Sequence, residues 1–155
     1  MTARTGRTQL CGPAQARTRL AHARKFLEVA QLVATEDFDE SLSVAAGLAV
    51  LAGIAASDAA CCRALGRRAR GDDHREAATL LSQIRPGGDR AVKALLALID
   101  VKDTAHYGLI HVTRRQLSVV MRRASTLVAF GQSPTPGQRP PTPRAATHRD
   151  GFVSM

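Results

Sequence analysis

Val44-Ala-Ala-Gly-Leu-Ala-Val-Leu-Ala-Gly-Ile-Ala-Ala56 is an unbroken run of thirteen apolar or small residues. It falls short of the ~20 residues that a helix needs to cross a bilayer, so it reads as a buried core helix and no membrane association is expected. Working outward, Asp37 and Glu40 have capping-box spacing and put negative charge where a helix N-terminus favours it. The helix can run on to about Gly66, with Leu48, Leu51, Ala55, Cys62 and Leu65 on one face and Asp58 on that same face. Gly47, Ala49, Ala52, Gly53 and Ala56 let neighbouring helices approach closely, which makes this the expected central helix of a bundle.

The flanking sequence supplies the neighbours. Leu20, Ala23, Leu27, Ala30 and Leu32 or Val33 recur at helical spacing from about residue 14 to 34, beside a basic flank of Arg17, Arg19, Arg24 and Lys25. Gly71 breaks the central helix, and Asp73 with Glu76 starts a short helix over about 74–84 that stops before Arg85-Pro-Gly-Gly88. Asp89 is placed to cap a fourth helix, with Val92, Leu95, Leu96 and Ile99 as its apolar stripe and Gly108 as its end. Thr113 and Gln116 open a fifth, reaching about Phe130 with Leu117, Val120 or Met121, Ala124, and Leu127 or Val128 inward. The expectation is an all-α, up-and-down bundle of about five helices over 14–131. Residues 1–13 and the tail 132–155, which holds five of the seven prolines, lack periodicity and are expected to stay unstructured.

Composition agrees with this outline. At 155 residues, with 3% aromatics, no tryptophan and abundant alanine, the chain suits one closely packed helical core. The net charge of +9 divides into +6 over residues 1–27, +1 over 28–131 and +2 over 132–155. Most of the basicity thus falls in or next to the expected tails, where it adds salt-sensitive attraction to phosphates without shaping a groove. Arginine outnumbers lysine nineteen to three, a bias that GC-rich coding also produces. Cys11, Cys61 and Cys62 are an odd set with no recognisable framework, and Cys61 and Cys62 read as packed thiols. With no apolar leader at the N-terminus, a reducing cytoplasm is the expected location. No metal-ligand spacing, GxxxxGK[ST] loop or strand-associated GxGxxG is found, so neither metal nor cofactor is expected.

Chemistry concentrates in Asp100-Val-Lys-Asp-Thr-Ala-His-Tyr-Gly108, polar residues that continue an apolar helical pattern. Lys102 and His106 are four apart and Asp103 and His106 three apart, so each pair can share a face. A lysine can neutralise a phosphate, an aspartate can orient an imidazole, and a histidine exchanges a proton near neutral pH. The same residues also fit a helix-end cluster in which positive groups favour the C-terminal dipole and Asp103 pairs locally. Asp58, on an inward face, needs a partner if buried. Lys102, His106 and the Tyr107 hydroxyl are the candidates, and fixing two helices together would be reason enough for such a pair.

The Ser57-Asp58 helix, the Gly71-Asp-Asp-His-Arg75 turn and Lys102-Asp-Thr-Ala-His-Tyr-Gly108 together resemble the HEPN superfamily, in its bacterial branch, over about residues 14–131. That resemblance implies a helical bundle that commonly dimerises and, in active members, a metal-independent ribonuclease site where two copies of a motif meet. The family motif places an arginine, a polar residue and then a histidine, with four to six residues between arginine and histidine. Here His106 matches the histidine and Asp103 can match the polar residue. Lys102 stands for the arginine with three intervening residues, and it lacks the planar fork with which arginine holds phosphate. The expected function is RNA or nucleotide engagement, with weak ribonuclease chemistry. His106 would be general acid/base, Lys102 the phosphate-charge stabiliser and Asp103 the orienting group. Tyr107 and Asp58 would support the cluster, and Arg114 and Arg115 would add phosphate contacts. The alternative is a non-catalytic homodimeric interaction module, for which a partner protein is also conceivable.

Overall fold

The computed structural model describes residues 7–71 and 73–133, apart from the side chain of Tyr107. Asp72 and the 134–155 tail therefore lie outside the described residues. Five helices carry the fold: α1 (Pro13–Val33), α2 (Asp39–Leu65), α3 (His74–Ser82), α4 (Gly88–Tyr107) and α5 (Arg114–Gln132). The all-α bundle expected from periodicity is what forms.

α2 is the hub, packing against α1, α5 and α4. It is long and apolar enough to span a membrane by length and composition, but 78% of its most apolar eighteen-residue window is buried inside the bundle. α1 meets it through Ala16, Ala23 and Ala30, buried at seven-residue intervals, so a seam of methyl groups holds the two backbones close. Gly53 serves the same end towards α4 and α5, because a Cβ there would run into Leu98 and Leu127. Leu80, Leu81, Leu95, Leu98, Leu127, Val50, Val112 and Val120 are the largest fully buried side chains, and they draw α3, α4 and α5 onto α2.

Helix ends follow local chemistry, with two departures from expectation. Asp73 accepts from the Glu76 N–H at 3.0 Å and opens α3. Thr113 and Gln116 form the reciprocal box that opens α5, at 3.1 and 2.9 Å. Asp37 does not cap α2. Its carboxylate pairs with Arg114 at 3.0 Å, and Phe38 takes the N-cap position without a side-chain bond. Asp89 is likewise not the cap of α4. Gly87, at φ +97°, turns the chain into the helix and leaves Asp89 in the first turn, where the dipole still favours it.

The N-terminal segment is the larger correction. Instead of trailing from the bundle, Thr8–Leu10 forms a strand, β1, antiparallel to β2 (Arg67–Ala69), with Gln9 opposite Arg68. Backbone bonds from Arg70 N to Arg7 O at 2.7 Å and from Cys11 N to Gly66 O at 3.0 Å extend the pairing. A disulfide, Cys11–Cys62, then ties the start of α1 to the last turn of α2. Cys62 is therefore not a free packed thiol, although Cys61 is.

Candidate functional site

Polar side chains gather at opposite ends of α2. At its N-terminal end the last turns of α4 arrive, and Lys102 Nζ lies 3.1 Å from Nε2 of His74, the first residue of α3. Which of the two donates depends on the His74 tautomer. One turn further along α4, the His106 ring rests on Gly47, where a Cβ would approach its Cε1 to 3.1 Å. Gly47 is thus a seat for the imidazole as well as a packing residue. Lys102 is half-buried and His106 exposed.

The remaining predicted residues are only partly assembled around this pair. Asp103 is exposed and makes no hydrogen bond or ion pair among the described residues, so it does not orient His106 in this arrangement. The Tyr107 side chain lies outside the described residues. Arg114 sits beyond the cluster, held by Asp37, and Arg115 is exposed beside it on the first turn of α5. The histidine that does join is His74, which in the sequence belongs to the separate polar group Asp73-His-Arg75, with nothing local to link it to Lys102.

Asp58 is not part of this cluster. It lies eleven residues beyond Gly47 on α2, about 16 Å along the axis at ~1.5 Å per residue. The residue is 8% exposed, and its Oδ2 accepts from Arg19 Nε at 3.1 Å, Arg19 Nη2 at 2.8 Å and Arg68 Nη1 at 3.1 Å. The expected partners Lys102 and His106 are replaced by guanidiniums from α1 and β2. The cause is topological: the strand pairing of β1 with β2 carries Arg68 over α2, and the α1–α2 seam brings Arg19 alongside.

Two further groups complete the electrostatics of that end. Burial, and secondarily the Asp58 charge, push the Cys61 thiol from its ordinary 9.0 up to about 12, so it stays protonated and unreactive. Arg63 donates to the backbone carbonyls of Gly131 and Phe130 at the end of α5, supplying the cation that a helix C-terminus favours. Its burial lowers its pKa from the usual guanidinium value.

No family model matches the chain, and neither a characterised protein nor a solved structure does.

Proposed function

We propose that the chain is a HEPN-like helical bundle that engages RNA or a nucleotide and cleaves phosphodiester bonds weakly without metal. The observation that carries this reading is the 3.1 Å approach of Lys102 to His74. It adds a second imidazole to the lysine and histidine that stand one turn apart on α4. One ammonium and two imidazoles are a sufficient set for attack of a ribose 2′-hydroxyl on the adjacent phosphate. One imidazole takes the hydroxyl proton as the O–P bond forms. The other delivers a proton to the departing 5′-oxygen as its P–O bond breaks, and Lys102 offsets the growing charge on the phosphate. His74 and His106 are the two groups proposed for these proton transfers.

A second reading, a non-catalytic homodimeric interaction module, is favoured by a different observation at the same end. Phe38, Val44, Leu109 and Ile110 are 67%, 53%, 104% and 78% exposed. The 109–112 connection is tied to α2 by Val112 N donating to Ser43 Oγ at 3.0 Å.

Turnover of mixed RNA in EDTA by the wild type, compared with His106→Ala and His74→Ala, separates the two. Cleavage that falls about 100-fold or more with either substitution fits the loss of a general acid or base. Equal turnover by all three proteins, or none by any at high protein concentration, rejects catalysis and leaves the interaction module.

A further inference from the structure

At the other end of α2, the Arg19–Asp58–Arg68 group borders an open recess of about 330 Å³ whose lining includes Gln9, Leu10, Cys11 and Thr18. The geometry points to this recess as a binding site for a phosphate monoester. The inference is independent of the cleavage reading, because no residue is shared between the two places.

Three features support it. The first is charge: two guanidiniums converge on one oxygen, and Asp58 is the single carboxylate bonded to either of them among the described residues. One positive charge is left uncompensated on the wall of a cavity, where partial desolvation strengthens its pull on an anion.

The second is donor capacity. Arg19 uses Nε and Nη2 on Asp58, which leaves both N–H bonds of Nη1. Arg68 uses Nη1 on Asp58 and Nη2 on the Gln9 side-chain oxygen at 3.3 Å, which leaves its Nε–H. Because Gln9 accepts through its oxygen, its amide NH₂ is also available to donate. A tetrahedral phosphate dianion has enough oxygens to receive from both guanidiniums and the Gln9 amide at once.

The third is preorganisation. The side chains of Arg19 and Arg68 are 28% and 30% exposed, so they are reachable yet already held in place by the buried carboxylate. Asp58 therefore acts as an internal anion that aims both arginines and competes with an incoming one. The recess lies at the small end of the range for small-molecule pockets. It would hold the phosphate and the first atoms of the group that carries it, and either a free mononucleotide or the 5′-phosphate of an RNA presents that chemistry.

The test uses the full-length oxidised protein in low salt, with inorganic phosphate, adenosine 5′-monophosphate, and an RNA oligonucleotide carrying either a 5′-phosphate or a 5′-hydroxyl, followed by calorimetry. Saturable 1:1 binding of phosphate and of the mononucleotide is expected. Arg68→Ala should weaken it about tenfold or more, the loss of a charge-assisted donor, and Arg68→Lys should restore only part of it. Asp58→Asn should tighten binding, an effect that a purely structural ion pair would not give. Circular dichroism checks that each variant folds, and if Asp58→Asn does not, the two Arg68 variants decide. A preference for the 5′-phosphorylated oligonucleotide over the mononucleotide would assign the ligand to an RNA end, and the reverse to a free metabolite. Absence of saturable binding up to about 10 mM phosphate, well beyond the millimolar range of weak specific sites, or binding indifferent to Arg68→Ala, overturns the assignment.

Discussion

Cys61 turns burial into a measurable pH dependence. Its thiol is held up to about 12 in the folded chain against 9.0 ordinarily. Between those values the unfolded chain has released a proton that the folded chain retains. Stability from this residue is therefore complete below about pH 9 and is lost as pH rises towards 12, with a slope of up to ~1.4 kcal/mol per pH unit. Urea titrations at pH 8 and pH 10.5 should show a larger drop for the wild type than for Cys61→Ala, and identical drops would contradict the placement. Individual residues were unequally legible in the sequence. Asp73 and Thr113 cap the helices that their spacing announces. Asp37 has the same spacing but meets Arg114 in the fold, and a charged partner far along the chain leaves no trace in local pattern.

Among the elements, the five helices were readable because each carries enough turns for its apolar period to stand out. β1 and β2 were not, since three residues of Thr, Gln, Leu or of Arg, Arg, Ala make no alternating pattern. Their pairing depends on α1 and α2 lying antiparallel, which brings residues 8–10 beside 67–69 only after the hairpin closes. The disulfide follows from the same closure across a sequence separation of 51. Restricting an unfolded loop of that size is worth about 4 kcal/mol in the chain-entropy account, with ~2–4 kcal/mol typical. Reduction, or the paired change Cys11→Ser with Cys62→Ala, should lower the unfolding free energy by that amount in denaturant titrations. A change below about 0.5 kcal/mol would mean that the bridge adds little to what β1–β2 pairing already fixes.

For the molecule as a whole, the two ends of α2 are chemically different. One exposes large apolar side chains beside the lysine and histidines, and the other joins arginines, a buried carboxylate and a disulfide. Asp58 was assigned in the sequence to the wrong end because face periodicity gives direction around a helix but not which neighbour fills it. In the interaction-module reading the apolar end pairs with a second copy. Sedimentation velocity on the wild type should then find a dimer, and Leu109→Asp with Ile110→Asp should yield a folded monomer, since both side chains face solvent in the single chain. A wild-type monomer at high concentration would reject that reading. The covalent tie between Cys11 and Cys62 also makes the α1–α2 hairpin a sealed ring, whose exposed turn contains Glu36. A glutamate-specific protease that cuts there would leave both pieces joined, so the nicked chain should migrate as one band until a reductant releases the N-terminal fragment.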